Sequence, residues 1–212
     1  MKKIPEGVFE RLTIYLNCLL QLQNERVKTV SSNRLGLWTG VNPAAIRRDL
    51  VHFGNFGIKG VGYAVGPMVR EIQKILGSDQ PHKIVLVGAG NLGSAIAHHS
   101  GLKNHGFYIT AIFDSDPDKV GTMLADVEIV DIDKAREVIR EESIDFAIIA
   151  VPPAYAQAVA DRLVEAGISA ILNYTSMIVR VPKGVRVHNT DPVKELLVTL
   201  HNMSAKDNLV TT

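Results

Sequence analysis

The chain has 212 residues, 46% hydrophobic and 21% charged, with a formal net charge of +1, which is enough apolar chain for two packed domains. A single Cys excludes an intrachain disulfide, no apolar run reaches membrane-spanning length, and Met1-Lys-Lys-Ile-Pro-Glu-Gly7 lacks the apolar core of a signal peptide, so a cytoplasmic protein with no membrane partner is expected. The small net charge conceals an asymmetry: the first 77 residues hold 11 Lys+Arg against 5 Asp+Glu, and the remaining 135 hold 12 against 17, so a polyanion would meet the first third.

Residues 7–23 carry Val8, Leu12, Tyr15, Leu16, Leu19 and Leu22 at helical spacing, which predicts a first helix with one apolar face. Cys18, beside Leu19, reads as packing. Ser31-Ser32 caps a short second helix with Leu35 and Leu37, and Thr39-Gly40-Val41 reads as a turn. Asn42-Pro43 is an N-cap followed by Pro at the first helical position. It opens a third helix over residues 43–53, with Ala45, Ile46, Leu50 and Phe53 facing inward. Helix, short helix, turn and third helix describe a helix-turn-helix. Gly54-Asn-Phe-Gly-Ile-Lys-Gly-Val-Gly-Tyr63 then predicts a hairpin, the wing of a winged helix. A further amphipathic helix, residues 67–76, and the polar linker Gly77-Ser-Asp-Gln-Pro81 close the first domain.

In such a unit the third helix enters the major groove of double-stranded DNA. Arg47 and Arg48 lie about 100° apart on it. One is expected to reach a base edge and the other phosphate; a solvated helix face is the plainer alternative. Asn42, Ala44 and Ala45 at the helix start permit close approach, and Lys59 at the hairpin tip could reach phosphate or the minor groove.

After the linker comes Lys83-Ile-Val-Leu-Val-Gly-Ala-Gly-Asn-Leu-Gly93. An apolar strand ends at Gly88, and residues 94–103 read as the helix that follows. Gly88, Gly90 and Gly93, with Ala89, Asn91 and Leu92 between them, fit the phosphate-binding loop of a dinucleotide fold. Gly88 allows the tight turn, Gly90 lets the backbone approach a pyrophosphate, and Gly93 lets helix and strand pack closely. Asp114 ends a second apolar run, residues 108–113, and lies 21 residues after Gly93. It is placed to accept from a ribose hydroxyl and to repel a 2′-phosphate, favouring NADH or NAD⁺ over the phosphorylated cofactors. Lys119, in the polar loop that follows, could approach the adenosine end.

Further apolar runs at residues 127–130, 146–151, 170–172 and 185–188 alternate with helical patterns at 133–141 and 154–166, predicting a doubly wound parallel sheet of the Rossmann type. Val151 and Pro152 end the fourth strand, and Asn173 and Tyr174 the fifth. Ligands in this fold bind beyond such strand ends, so all four are expected near the nicotinamide half. Asp191-Pro-Val-Lys-Glu-Leu-Leu-Val-Thr-Leu-His201 is a capped helix whose stripe of Val193, Leu196, Leu197 and Leu200 needs a partner surface. Residues 204–212 read as a frayed tail.

Taken together, Ala45-Ile-Arg-Arg-Asp-Leu50, Phe53-Gly-Asn-Phe-Gly57, Gly60-Val-Gly-Tyr63, Val87-Gly-Ala-Gly-Asn-Leu-Gly93, Phe113-Asp114 and Asn189-Thr-Asp191 resemble the Rex family of redox-sensing transcriptional repressors, in the right order over nearly the whole chain. The resemblance implies a winged-helix DNA-binding domain over residues 1–80, a Rossmann NAD(H)-binding domain over 81–190, a dimerisation helix over 191–204 exchanged between the subunits of a homodimer, and a tail over 205–212. It also implies repression of fermentative and respiratory genes from palindromic operators when NADH is scarce, release by NADH, and retention with NAD⁺. Arg11 matches an arginine that pairs with an aspartate, here Asp191, and in some members that aspartate exchanges the arginine for a tyrosine when the cofactor changes. This chain has His99 at that tyrosine's position. It also departs from the family pattern at Asn173-Tyr-Thr-Ser176, where Asn-Phe-Ala-Pro is more familiar, and at Ala64, where aspartate is common.

A sensing mechanism also follows from charge alone. NAD⁺ carries a pyridinium and NADH a neutral ring, so a closed, dry pocket favours NADH. A closed dimer whose third helices no longer match grooves about 34–36 Å apart would then leave DNA. Two rivals share the glycine motif. An NAD-dependent dehydrogenase needs an acid–base residue, for which His98, His99, His105, His188 and His201 are available, and also a substrate domain, for which little chain remains. A CoA-binding Rossmann module fits poorly with Asp114 at the ribose position. No metal-ligand spacing is evident among the His residues, and no catalytic residue is assigned.

Overall fold

Met1–Pro81 and His82–Thr212 form separate units of the computed structural model, which describes residues 6–51, 57–58 and 62–207. In the first unit the elements are α1 (Glu6–Asn24), β1 (Thr29–Val30), α2 (Ser32–Thr39), α3 (Pro43–Val51), β2 (Gly57–Ile58), β3 (Gly62–Ala64) and α4 (Val65–Leu76). All six apolar positions expected on the inner face of α1 are buried. They pack with Leu35 of α2, Ile46 and Leu50 of α3, and Val65, Met68, Val69 and Ile72 of α4. Burying each of these leucines stabilises the unit by about 1.5–3 kcal/mol.

Local capping sets the helix starts. Ser31 Oγ accepts from the Arg34 N–H at 3.2 Å, and Asn42 Oδ1 accepts from the Ala44 N–H at 2.8 Å, satisfying donors that have no partner in the first helical turn. β2 and β3 pair antiparallel, as expected of the hairpin, and β1 adds a third strand against β3. Strand β1 was not expected, because two residues carry no readable alternation. Lys59 at the hairpin tip and Phe53 lie outside the described residues.

The second unit contains β4 (His82–Val87), α5 (Asn91–Ala97), α6 (Gly101–Asn104), β5 (Phe107–Asp114), β6 (Met123–Leu124), β7 (Val127–Asp131), α7 (Ala135–Glu142), β8 (Phe146–Ile149), α8 (Ala156–Ala166), β9 (Ala170–Asn173), β10 (Arg186–Asn189) and α9 (Pro192–Asp207). The sheet order is β10-β9-β8-β4-β5-β7-β6, parallel throughout except for β6. Its six parallel strands follow the doubly wound order of a dinucleotide-binding sheet, which reverses between β4 and β8. Central β4 faces a core on both sides. Val85 and Val87 join the cluster that includes Ile139 of α7 and Leu163 of α8, while Ile84 and Leu86 face Ile96 of α5. Double burial explains why this strand reads as an unbroken apolar run.

Two expectations are corrected and one strand is added. The helix expected over 94–103 begins earlier, at Asn91, ends at Ala97, and is followed by the separate short α6; residues 98–100 break it, with His98 as the C-cap of α5 and Ser100 as the N-cap of α6. The last helix runs to Asp207, into the expected tail. An antiparallel edge strand, β6, joins β7 through a turn in which Ala125 and Asp126 have φ of 49° and 68°, a hairpin geometry whose usual Asn-Gly signal is missing here.

Candidate functional site

The glycine-rich loop connects β4 to α5, and its three glycines differ in what they touch. At Gly88 φ is +101°, and a Cβ would stand 2.4 Å from the Ala150 carbonyl oxygen. At Gly93 a Cβ would stand 1.8 Å from the Gly88 carbonyl oxygen. Both are forced by the protein's own backbone. At Gly90, by contrast, a Cβ meets no atom within 4 Å. The second glycine therefore opens space that the fold does not fill, as a backbone that must admit a pyrophosphate requires.

Asp114 ends β5 against this loop. Its Oδ2 accepts from the Ala89 N–H at 2.7 Å and from Lys119 Nζ at 3.4 Å, and its Oδ1 accepts from the Asp116 N–H at 3.0 Å. Burial pushes this carboxyl's pKa up, but the backbone donors of Ala89 and Asp116 and the charge of Lys119 outweigh it and hold the group below the ordinary aspartate value. A carboxylate offers about four acceptor positions, so one remains for a sugar hydroxyl. Lys119 also bridges to Asp116 at 3.2 Å.

A cavity of about 510 Å³ lies along the strand ends at the reversal point, lined by Gly88, Gly90, Asp114, Lys119, Val151 and Pro152, all named from the sequence. Its volume lies within the range of small-molecule sites. Ile132, Tyr155 and Arg162 also line it and escaped the sequence reading. The fourth parallel strand, β8, ends at Ile149 and not at Pro152 as expected; Tyr155 lies just beyond Pro152 in a 3-10 turn, Pro153–Tyr155, and that proximity is the signal that could have found it. Arg162 forms an ion pair with Asp133; no local pattern marks it. The open cradle at Gly90 and the acceptor at Asp114 fit an adenine dinucleotide.

Ala89 is half-buried, while Asn91 and Leu92 are exposed at the start of α5. Tyr174 packs in the cluster containing Ala89 and Ile96. Asn173 does not fit the role expected of it. It is fully buried, its amide donates to the Met177 carbonyl at 2.7 Å and to Asn189 Oδ1 at 2.8 Å, and its Oδ1 accepts from the Thr175 N–H at 3.0 Å. With its polar atoms used inside the fold and no surface exposed, it shapes the turn after β9 and presents nothing to a ligand.

In the first unit, Ala44, Arg47 and Arg48 are exposed on α3, Asn42 is exposed before it, and Ala45 is half-buried. Arg47 Nη1 donates to Ser32 Oγ at 2.8 Å, which ties it to the first turn of α2. Of the three switch residues, Arg11 is paired within its own unit: its Nε and Nη2 donate to Asp49 Oδ2 and Oδ1 at 2.7 and 2.8 Å. The hydrogen bond to Asp49 raises the Arg11 pKa above its already high ordinary value. Asp191 caps α9, accepting from the Val193 N–H at 2.9 Å. His99 is exposed, and its Nδ1 accepts from the Gly101 N–H at 3.0 Å.

The fold and this cleft define a winged-helix DNA-binding unit joined to a Rossmann-type nucleotide unit. Family models agree unit by unit: "Putative DNA-binding protein N-terminus" matches residues 3–50 and "CoA binding domain" matches residues 79–177. Over 204 residues the chain is 41% identical to the redox-sensing transcriptional repressor Rex of Desulfitobacterium hafniense, covering 96% of this chain and 97% of that one. It is also similar to the crystal structure of RSP with β-NAD⁺ and operator DNA (TM-score 0.84, 35% identity, 99% of this chain and 96% of that chain). RSP with β-NADH matches as well (TM-score 0.83, 33% identity, 99% and 98%). The chain belongs to the Rex family of redox-sensing transcriptional repressors.

Proposed function

We propose that this chain is a cytoplasmic, homodimeric repressor that binds palindromic operators when NADH is low and leaves them when NADH rises. One observation carries the reading: a single chain joins an exposed Arg47-Arg48 pair on the third helix of a winged helix to a strand-end cleft with an open glycine cradle and a clamped Asp114. Neither half explains the other unless the cleft controls the helix. RSP, with similar units, has been crystallised with operator DNA and β-NAD⁺ and with β-NADH.

In this reading the loop of Gly88, Ala89, Gly90, Asn91, Leu92 and Gly93 holds the pyrophosphate, Asp114 holds the adenosine ribose, and Lys119 borders it. Val151, Pro152 and Tyr174 border the nicotinamide half. The bound cofactor supplies a ring that is charged when oxidised and neutral when reduced. An apolar wall such as Val151 and Pro152 disfavours the charged ring, because burying an unpaired charge costs several kcal/mol. Arg48 reads a base edge. Arg47, tied to the helix that crosses the DNA backbone, grips phosphate, Asn42, Ala44 and Ala45 admit the groove wall, and Lys59 adds a backbone or minor-groove contact.

Helix α9 supplies the dimer. Leu196, Leu197 and Leu200 are 69%, 61% and 59% exposed on it, an apolar stripe that exchange with a second copy would cover. Asp191 at its start and His99 beside α6 take part in the switch between states. Arg11 takes part through guanidinium donors beyond the two it gives to Asp49.

The deciding experiment is a DNA-binding titration at fixed salt, since phosphate contacts make affinity salt-dependent. NADH is expected to release a palindromic duplex and NAD⁺ to leave it bound. Unchanged affinity under NADH overturns the proposal, and turnover of NADH with a panel of ketones would point to a dehydrogenase.

A further inference from the structure

We propose that Asp49, clamped by Arg11 and Tyr15 of α1, is a positioning residue for sequence discrimination: it sets the rotation at which α3 presents Arg47 and Arg48. This rests on the reading of α3 as the groove-reading helix.

On α3 the inward face is Ile46, Asp49 and Leu50, all buried, at the i, i+3, i+4 spacing of a core-facing stripe. A carboxylate in the middle of such a stripe is out of place on packing grounds, since burying a charge costs several kcal/mol unless it is paired and hydrogen-bonded. Here Asp49 is 3% exposed and well paired. Arg11 meets it with two parallel donors, and the Tyr15 hydroxyl donates to Oδ2 at 2.8 Å. Burial, then the bond to Asp49, raises the Tyr15 hydroxyl pKa, so it stays a donor.

Apolar contacts between helices are non-directional and tolerate small rotations. A forked arginine–carboxylate bond is planar and fixes its geometry. Asp49 lies about 200° around the helix from Arg47 and about 100° from Arg48. Fixing its carboxylate against α1 therefore fixes the rotation at which both arginine side chains leave the helix. An ion pair with one end buried, as Asp49 is here, is weak evidence for stability against apolar replacement, and conformational specificity is the role inferred for this one.

The test separates positioning from folding. The full-length R11M/D49L double variant, built on Tyr15→Phe so that no buried hydroxyl loses its acceptor, replaces the carboxylate and both of its donors by apolar side chains. Two probes are used: a duplex that wild-type protein selects from a randomised palindromic pool, and a random duplex of equal length. At fixed salt the double variant is expected to keep or raise the Tm, to keep the slope of affinity against salt because phosphate contacts persist, and to lose about tenfold in the ratio of selected to random affinity, one decade of discrimination. A variant of wild-type Tm with a wild-type ratio overturns the inference. Should the double variant fail to fold, Tyr15→Phe alone decides. That variant leaves the Arg11 fork in place but one acceptor position unfilled, and is expected to lower the ratio by about threefold, the effect of one modest hydrogen bond; an unchanged ratio overturns the inference. Wild-type protein that binds both duplexes equally overturns the proposed function, and this inference with it.

Discussion

The Ala89 N–H donates to Asp114 Oδ2 at 2.7 Å, so the residue that would hold the ribose also holds the loop that would hold the pyrophosphate. One carboxylate thus couples two ends of a dinucleotide site before any ligand arrives. Substitution at Asp114 should therefore loosen the loop as well as remove a ligand contact.

That coupling gives a pH dependence. The Asp114 pKa is lowered in the folded state, so its stabilisation is complete above the unfolded aspartate value of about 3.9 and is lost as pH falls through the lower folded value. Thermal unfolding of wild type at pH 7, 4 and 3 should show a fall over the acid step. Asp114→Asn should be less stable at pH 7 and fall less over that step; equal acid slopes would remove Asp114 as a cause.

Gly90→Ala and Gly93→Ala separate binding from folding. The Gly90 methyl enters open space, so stability should change by no more than about 0.5 kcal/mol. NADH affinity should nevertheless drop by about tenfold or more, worth roughly 1.4 kcal/mol. The Gly93 methyl strikes a backbone carbonyl, so the fold should lose about 3 kcal/mol, the upper end for overpacking. Denaturant titration and NADH fluorescence quenching measure both. Gly90→Ala with full NADH affinity would show that the pyrophosphate lies elsewhere.

Arg47 and Arg48 should fail in different ways. Arg48→Ala is expected to cost about 1–3 kcal/mol and to relax preference at one base position, while Arg47→Ala weakens all sequences alike and reduces the salt slope by about one. Affinity for a set of single-base operator variants at three salt concentrations distinguishes them. The reverse pattern would exchange the two roles.

Leu196→Asp with Leu200→Asp tests the dimer. Both side chains are exposed in the single chain, so the charges should leave the Rossmann unit's stability nearly unchanged, within about 0.5 kcal/mol, while preventing association. Sedimentation should report a monomer, with weakened binding to a two-half-site operator. A variant that still sediments as a dimer would place the interface elsewhere.

The parallel strands were legible because double burial writes them as apolar runs, and the cleft was legible because Gly88, Gly93 and Asp114 obey spacing rules imposed by one turn of backbone. α1 was read correctly to its six inward side chains, since a 3.6-residue period is a local property. β6 was not legible, being two residues long, and Arg162 was not, because nothing near it in sequence marks the cleft it borders.

Asn173 and Arg11 show where local reading stops. Each was expected at a ligand or a switch, and each has partners within its own unit that no local pattern announces, Asn189 for the first and Asp49 for the second. The sequence by itself determined the two-unit order, the strand–glycine–helix turn and the acid at the end of β5, because these follow from periodicity and short-range stereochemistry. Only the tertiary structure decided which carboxylate receives Arg11, that Asp49 lies inside rather than on the DNA side, and that Tyr155 and Arg162 wall the cleft. Those outcomes depend on how distant segments pack, and a charged side chain takes whichever partner that packing brings within hydrogen-bond reach.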